Sequence, residues 1–207
     1  MLHTYGMDVK NRKEQQAQAT RGALVSVARE LFGSRGWADT PIEEVVARTG
    51  MTKGALYHHF RDKKDLFQEV FVQVERELTD QVNAAGTGAA DPFRRLSAAC
   101  HAYLDACMSP EVQRIAVLDA PSVLTWSKYC EIDEEFAIKA LMARLEALRQ
   151  AGYQFGEPVD SLAHLLIGTL TMGARVIARA TDRDVARQQV GATLDRVLEG
   201  LVGLPTA

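Results

Sequence analysis

Apolar residues recur at helical spacing along most of the chain, and no segment shows the strict alternation that is typical of a β-strand. The pattern predicts helices over residues 16–34, 40–50, 52–60, 62–85, 91–107, 110–119, 121–151, 158–180 and 182–201. We therefore expect an all-α fold of about nine helices.

Three regions differ in their pattern along the chain. Residues 1–15 lack apolar periodicity and are expected to form a mobile tail, whereas residues 16–64 should form a first domain and residues 65–207 a second. The helix that begins near Asp62 is expected to connect the two domains. Gly86-Thr87-Gly88 has the composition of a linker and ends this connecting helix.

The segment from Thr40 to Gly50 carries the signals of one short helix. Thr40 is the expected N-cap, Pro41 occupies the first helical position, and Glu43 completes a capping box three residues after Thr40. Gly50 is the expected end of this helix, because glycine readily adopts the left-handed conformation that terminates helices.

A second short helix is expected directly after this turn. Thr52 is placed to cap it, and Leu56 and Phe60 repeat at i and i+4 on its inner side. Tyr57 and His58 therefore face outward. Two capped helices joined by a sharp turn within twenty-one residues predict a helix-turn-helix.

The first turn of the second helix suits a close approach to nucleic acid. Lys53 brings positive charge to the helix N-terminus, where the helix dipole is also positive. Gly54 is a poor helix former, so its presence suggests that another molecule must come close there. A glycine that is merely tolerated in the first turn is the alternative.

These residues resemble the N-terminal domain of the TetR family of transcriptional repressors over about fifty residues. The resemblance rests on Thr20-Arg21, Ala28, Leu31-Phe32, Gly36, Thr40, Ile42, Val46-Ala47, Gly50, Thr52-Lys53-Gly54-Ala55-Leu56-Tyr57-His58-His59-Phe60, Lys63 and Leu66-Phe67. The rest of the chain is similar to the family in length and helical character but carries no comparably specific motif.

Residue chemistry, together with this resemblance, indicates roles at a DNA surface. Lys53 and His58 are expected to reach base edges in the major groove, although His58 stands where many members have tyrosine, so it contacts either a base or the backbone. Gly54 allows the close approach. The candidates for phosphate contacts are Arg21, Thr40, Thr52, Tyr57 and Lys63.

Charge is unevenly distributed along the chain, whose net charge is −3. Residues 1–64 contain eleven Lys or Arg and seven Asp or Glu, a net charge of +4, whereas the remainder contains thirteen and twenty, a net charge of −7. This asymmetry is expected if only the N-terminal third touches phosphate.

The remaining composition narrows the class of protein. Hydrophobic residues make up 47% of the 207 residues, no stretch of eighteen uninterrupted apolar residues occurs, and the start lacks the apolar run of a signal peptide. We expect a cytoplasmic protein that contacts no membrane and holds no cofactor. Cys100, Cys107 and Cys130 lack metal-site spacing, and core packing is favoured over a redox-sensor role for the first two.

The last two predicted helices are apolar around most of their surface, which predicts burial on two sides. We expect them to pair with the same helices of a second copy as a four-helix bundle, so that two helix-turn-helix units can read a palindrome. Burial within one chain is the alternative. The candidate interface residues are Leu162, Leu166, Gly168, Leu170, Gly173, Ile177, Leu194 and Leu198.

The resemblance also implies an effector, a small molecule that enters the C-terminal domain, shifts the connecting helix and releases DNA. We expect this effector to be largely apolar. The candidate ligand-binding residues are aromatic or soft side chains on predicted inward faces, each of which is otherwise plain core: His101, Tyr103, Cys107, Trp126, Tyr129 and Met172.

Two other functions compete with a ligand-controlled, dimeric repressor. A constitutive repressor without an effector requires a filled C-terminal core. An enzyme is disfavoured, because the sequence contains no recognisable catalytic motif. The spacing of His101 and Asp105, one helical turn apart, is explained more simply by a core histidine with a hydrogen-bond partner.

Overall fold

The computed structural model describes residues 2–156 and 158–201. Within this part of the chain it contains nine helices and no β-strand, which confirms the predicted all-α class. The helices are α1 (Leu2–Arg35), α2 (Ile42–Thr49), α3 (Lys53–His59), α4 (Lys63–Ala84), α5 (Pro92–Ala106), α6 (110–123), α7 (126–150), α8 (Val159–Arg179) and α9 (Arg183–Leu201). Met1 of the predicted tail and residues 202–207 of the predicted second domain lie outside the described residues.

Helices α6 and α7 are not α-helical throughout. In α6, the π-helical segment Gln113–Asp119 lies between Pro110–Val112 and Ala120–Val123. In α7, the π-helical segment Glu134–Ile138 lies between Trp126–Asp133 and Lys139–Gln150. Because π-helical segments are rare and occur frequently at functional sites, these two segments make the second half of the chain a candidate location for a binding site.

Helix α1 is longer than the apolar pattern predicts. The mobile tail predicted for residues 1–15 is wrong, because the helix begins at Leu2. Residues 14–19 are exposed Glu, Gln and Ala, which are strong helix formers and extend the helix without an apolar stripe. Periodicity detects helices that bury one face, so it missed this part of α1.

The start of α2 differs from the predicted capping box. Pro41 is the N-cap residue, and no side chain caps the helix. The Thr40 hydroxyl instead donates to the carbonyl of Gly36 at 2.8 Å, and the Glu43 carboxylate pairs with Lys53. Thr40 lies one residue too early to cap α2, because it closes the preceding turn and is fully buried there.

The break predicted at Pro121 lies a few residues later, at Leu124 and Thr125. Pro121 sits in the first turn of the segment Ala120–Val123, where a proline is tolerated. Thr125 then caps α7, since its hydroxyl accepts a hydrogen bond from the N–H of Lys128 at 3.3 Å. The capping residue, rather than the proline, therefore decides where α7 begins.

The chain divides into two compact units, Met1–Phe71 and Val72–Ala207. The boundary lies inside α4, whereas the sequence predicted it between residues 64 and 65. Phe67 explains the difference, because it is fully buried and packs edge-on against Phe32 of α1, with ring centroids 5.3 Å apart. The first turns of α4 therefore complete the core of the first unit.

The second unit is built around one apolar core, to which α5, α7, α8 and α9 all contribute. Its fully buried residues include Leu96, Leu104, Leu145, Leu148, Ile177 and Leu198. Two of the helices approach closely at Gly173 of α8, where a Cβ atom would lie 2.9 Å from the Val190 Cγ1 of α9. The close approach allowed by Gly173 is therefore made within one chain.

Two glycines of the first unit should respond oppositely to the same substitution. Gly50 has φ +67°, which strains an alanine, whereas Gly22 is exposed on α1 and a Cβ atom added there would have no neighbour within 4 Å. We expect Gly50→Ala to lower the free energy of unfolding by about 1–2 kcal/mol, and Gly22→Ala to raise it by about 0.5–1 kcal/mol. Urea denaturation measures both, and shifts of the same sign would contradict these backbone assignments.

Candidate functional site

The turn between α2 and α3 fixes the direction of an exposed helix. The N–H groups of Gly50 and Met51 bond back to carbonyls of α2 at 3.3 and 3.2 Å. Thr52 Oγ1 accepts a hydrogen bond from the N–H of Ala55 at 3.2 Å, which confirms its predicted role as the cap of α3. Leu56 is fully buried and holds the inner side of α3 against the first unit.

The outer side of α3 presents polar side chains to solvent. Lys53 stands at its N-terminus, Tyr57 is 51% exposed, and His58 is exposed with its ring edge-on to His59. The predicted outward orientation of Tyr57 and His58 is confirmed. A Cβ atom at Gly54 would contact only the Thr52 hydroxyl, at 3.8 Å, so the protein's own packing does not require glycine there. The space above Gly54 is open to another molecule.

Lys53 is engaged in an exposed ion pair between the two short helices. Its Nζ lies 2.5 Å from Glu43 Oε1 of α2. The hydrogen bond between them lowers the pKa of Glu43 and raises the pKa of Lys53. Lys53 is therefore fully charged at neutral pH, and a phosphate or base that binds it must compete with Glu43.

Two of the predicted phosphate ligands have other roles in the structure. The Arg21 guanidinium lies 2.6 Å from Glu69 Oε2, donates to the carbonyl of His59 at 3.2 Å and stacks over the Phe60 ring. It ties α1 to the end of α3 and to α4. The phosphate role predicted for Thr40 is wrong, because this side chain is fully buried and donates within the protein.

Lys63 lies at the first position of α4, beside the loop that precedes α2. Its Nζ is 4.3 Å from the centroid of the Trp37 ring and 3.5 Å from the carbonyl oxygen of Ala38. The cation–π contact and the hydrogen bond hold the Lys63 ammonium near the N-terminus of α4. The exposed N–H groups of a helix N-terminus also favour the binding of an anion. The predicted phosphate contact of Lys63 stays a prediction.

A second candidate site is an inner cavity of about 50 Å³ inside the second unit. Its wall is mostly apolar and includes Leu78 of α4, Tyr103 of α5 and Ile167 of α8. Two charged side chains interrupt this wall, Glu75 of α4 and Arg144 of α7. Glu75 is only 7% exposed, which is unusual for a carboxylate without a buried cation as its partner.

The guanidinium of Arg144 donates its hydrogen bonds to other groups of the protein and not to Glu75. It donates to the carbonyls of Ala140 and Val82 at 2.9 and 3.1 Å and to Asn83 Oδ1 at 2.9 Å. Burial lowers its pKa. Burial also raises the pKa of Glu75 to about 8, and the negative charge of Asp133 adds to this rise.

An outer cleft of about 400 Å³ lies between α7 and α8 and shares Ile167 with the inner cavity. Asp133 lines it, directly before the π-helical segment Glu134–Ile138, and burial raises its pKa to about 7. The ring of Tyr129 also lines the cleft and stacks on Trp126, with centroids 6.3 Å apart. Carboxylate and aromatic groups thus meet in one wall.

Four of the six predicted ligand-binding residues line one of these two spaces. Tyr103 lines the inner cavity, while Trp126, Tyr129 and Met172 line the outer cleft. Trp126 is 79% exposed, so the prediction that it faces inward is wrong. Its position at the first residue of α7, directly after the Thr125 cap, places it at the rim rather than in the core.

The ligand-binding roles predicted for His101 and Cys107 are not supported by either cavity. His101 donates from Nε2 to Asp195 at 2.7 Å and accepts from Arg187 at 3.1 Å, which joins α5 to α9. Asp105 pairs with Arg187 as well, at 2.7 Å, so His101 and Asp105 form no catalytic pair. Cys107 is fully buried, and burial raises its thiol pKa to about 12, as it does for Cys100. Both cysteines are core residues, as favoured from the sequence.

Sequence reasoning missed Glu75 and Asp133, which the structure brings to the cavity walls. A signal for Glu75 was present, because it lies among Phe71, Val74 and Leu78 in the apolar stripe of α4. A carboxylate inside such a stripe is buried when the stripe is buried. Asp133 offered no comparable signal, since it adjoins two further acidic residues that are exposed.

Four of the eight predicted dimer residues pack only inside one chain, so that prediction is wrong for them. They belong to the core of the second unit because they occupy the inner faces of α8 and α9: Leu162, Leu166, Ile177 and Leu198. The other four residues line an open surface groove, so their interface role stays a prediction: Gly168, Leu170, Gly173 and Leu194. Gly173 contacts Val190 of the same chain, as described above. Only Gly168 among the predicted set is exposed.

The opposite face of α8 carries an exposed apolar stripe. Leu165 is 67% exposed and Met172 57% exposed, and Val176 follows one turn later. With α9 these residues line an open surface groove of about 760 Å³, hereafter the α8/α9 groove. Helix α8 is long and apolar enough to span a membrane by length and composition alone, and the division of its apolar residues between core and groove accounts for that composition.

The raised pKa of Glu75 predicts how stability varies with pH. The folded state holds this proton up to about pH 8, whereas a free glutamic acid has a pKa of 4.5. The stabilisation is therefore full below pH 4.5 and is lost as the pH rises towards 8. We expect Glu75→Gln to unfold at a higher temperature than wild type at about pH 8, with a smaller difference at about pH 5. Thermal melts at both pH values measure this, and a constant difference would contradict it.

Comparisons with known proteins agree with the sequence resemblance. Residues 24–70 match the family of bacterial regulatory proteins named tetR, and residues 93–201 match the tetracyclin repressor-like C-terminal domain. The chain is 26% identical over 162 residues to the Transposon Tn10 TetC protein of Escherichia coli, covering 78% of this chain and 82% of that one. It is 39% identical over 67 residues to the HTH-type transcriptional regulator AcrR of Shigella flexneri, covering 32% and 31%.

A solved structure extends this similarity to nearly the whole chain. A TetR-family transcriptional regulator from Pectobacterium atrosepticum is 31% identical, with a TM-score of 0.79, over 93% of this chain and 98% of that chain. The fold similarity to that regulator therefore includes the second unit, for which the sequence alone carried no specific motif.

Proposed function

The chain belongs to the TetR family of transcriptional regulators, and on that premise we propose that it represses transcription as a homodimer on a palindromic operator and dissociates when a small molecule fills its second unit. Membership in the family makes the chain a DNA-binding regulator and not an enzyme. Operator binding as a dimer and release by an effector are our proposals. We also propose a cytoplasmic location, which a DNA-binding role supports.

The outer face of α3 carries the proposal for DNA binding. Thr52 caps this helix, Tyr57 and His58 point outward, and the chain leaves open space above Gly54. A helix that enters the major groove needs such an exposed end with donors near its N-terminus. In the proposed complex, Lys53 leaves its ion pair with Glu43 and donates a hydrogen bond to a base edge.

The α8/α9 groove supports the homodimer. Exposed apolar stripes of this length rarely remain uncovered on soluble proteins. A second copy that presents the same stripe would cover Leu165, Met172 and Val176 and form a four-helix bundle with twofold symmetry. The twofold axis would relate two copies of α3, as a palindromic site requires.

The cavities of the second unit favour control by an effector over a constitutive repressor. A repressor without an effector needs a filled core, whereas the inner cavity is walled by α4, α5, α7 and α8. Helix α4 continues without a break from the first unit into this wall. A ligand that binds one position of α4 more tightly than another shifts the population of DNA-binding states.

Binding of the purified protein to DNA from its own upstream region tests this function. A mobility shift at two salt concentrations with excess nonspecific competitor should give a salt-sensitive complex that contains two subunits. A complex with one subunit would contradict the dimer, and a complex that competitor removes completely would contradict operator specificity.

A further inference from the structure

The inner cavity contains a buried carboxylate that the protein itself leaves unpaired. Glu75 is 7% exposed and lines the cavity, and among the residues that the structure describes no side chain donates a hydrogen bond to it or forms an ion pair with it. A buried carboxylate normally has such a partner, because the cost of removing it from water is otherwise uncompensated. A missing partner inside a cavity leaves this carboxyl available to a ligand that enters the cavity.

A second carboxylate lies in the neighbouring space, the outer cleft, which shares Ile167 with the inner cavity. The charge of Asp133 raises the pKa of Glu75, and Asp133 itself lines the outer cleft. Burial leaves the pKa of Glu75 at about 8 and that of Asp133 at about 7. The pair therefore carries less than its full negative charge near neutral pH, and a nearby positive charge would complete its ionisation.

The other ionisable groups around Glu75 do not neutralise it. From α5, Tyr103 and Cys100 face the cavity, and burial raises the pKa of both, so they are neutral at physiological pH. From α7, Arg144 is held by backbone carbonyls and Asn83. From α8, Arg175 lines the outer cleft, where its charge acts on the Tyr129 hydroxyl.

Aromatic rings surround the same carboxylates. Tyr103 lies in the wall of the inner cavity, and Tyr129, stacked on Trp126, lies in the wall of the outer cleft. Aromatic faces attract cations that have lost their hydration shell. The outer cleft, at about 400 Å³, has the volume of a small-molecule site, whereas the inner cavity, at about 50 Å³, admits only a small group.

We propose that the effector is a lipophilic organic cation, whose ammonium group is held by the carboxylates of Glu75 and Asp133 while its apolar part fills the outer cleft. This assignment rests on the proposed effector control and names the chemical class of the effector. It also makes the expectation of a largely apolar effector more specific, because it adds one positive charge to the apolar ligand.

Binding of the cation changes the proton balance of the site. The cation binds the ionised form of Glu75, which holds a proton in the free protein up to about pH 8. Binding therefore expels protons into the solvent near neutral pH, and affinity increases as the pH rises from about 6 to about 9.

Calorimetry with a matched pair of probes tests the charge requirement. Phenyltrimethylammonium and tert-butylbenzene have the same shape and differ in the charged nitrogen. We expect the cation to bind roughly ten- to a hundred-fold more tightly than the neutral probe. We also expect its binding heat to vary with the ionisation enthalpy of the buffer, because protons are released. Equal affinities, or affinity for the cation that does not depend on pH, would overturn the proposal.

Two variants separate the site from a general charge effect. Glu75→Gln should weaken binding of the cation by roughly ten-fold or more, reduce the proton release and leave the neutral probe unaffected. Glu77→Gln, on the exposed side of the same helix, is the matched control and should change neither. Equal losses in both variants would overturn the assignment to Glu75. A thermal melt of each variant establishes that it is folded.

The operator complex distinguishes this proposal from the proposed function. If the cation binds as expected but leaves the operator complex intact, the ligand class is supported and effector control of DNA binding is contradicted. If the protein binds DNA but the cation shows no saturable binding at any pH, the operator role is retained and the cation assignment is overturned.

Discussion

Leu165→Arg is expected to convert the protein from a dimer into a monomer and to abolish specific operator binding. Leu165 is 67% exposed on α8 and lines the α8/α9 groove but neither cavity. In a twofold interface the substitution places two arginines in one apolar contact, and their charges lose hydration without gaining partners. Operator affinity should fall by roughly a thousand-fold, to that of nonspecific binding.

Sedimentation equilibrium measures the subunit association and fluorescence anisotropy measures the operator affinity. Ala143→Arg, at an exposed position of α7 away from the groove, is the matched control and should remain a dimer that binds its operator. A Leu165→Arg protein that stays dimeric would place the interface on another surface. Leu162 is unsuitable for this test, because it is buried in its own core and an arginine there would unfold the second unit.

The first unit was predictable from the sequence because its signals are local. Thr52, Leu56 and Phe60 fix the start and the inner side of α3 through hydrogen bonds and spacing within nine residues. The capping box predicted at Thr40 does not form, and residue spacing alone could not show this. Gly36 provides a better acceptor for the Thr40 hydroxyl, and this acceptor precedes the predicted helix.

The second unit was predictable in class but not in detail. Apolar residues surround most of α8, so the sequence does not show which face packs inward. The structure buries Leu162, Leu166 and Ile177 and exposes Leu165 and Met172. For these three buried residues the predicted interface therefore named the wrong face of the right helix, since helix periodicity fixes which residues share a face but not what that face contacts.

The cavity residues show the same limit. Tyr103 and Tyr129 were found because aromatic residues on inward faces are the usual lining of ligand sites. His101 was predicted to bind the ligand because it is polar, but its two ring nitrogens are hydrogen-bonded to Asp195 and Arg187 of α9. The pairing of His101 with Asp195 joins residues that are 94 positions apart, and no pattern within one helix predicts it.

Lys53→Ala is expected to weaken operator binding by roughly ten- to a hundred-fold, because it removes a base contact and leaves the Glu43 carboxylate facing the duplex. If Lys53 contacts phosphate instead of a base, the substitution should also lower the number of counterions released on binding by about one, which weakens the dependence of affinity on salt. Anisotropy titrations over a range of salt concentrations measure both quantities and separate these two roles.

The ion pair between Lys53 and Glu43 makes a further double-mutant comparison informative. Glu43→Gln in the Lys53→Ala protein removes an unpaired negative charge from the DNA-facing surface and should recover several-fold of the lost affinity. Glu44→Gln is the matched control on the same helix, since Glu44 pairs with Arg35 rather than with Lys53. If Lys53→Ala leaves affinity and salt dependence unchanged, α3 is not the helix that reads the operator. If Glu44→Gln restores affinity as well as Glu43→Gln does, the recovery reflects net charge alone, and the contact between α2 and α3 does not tune DNA binding.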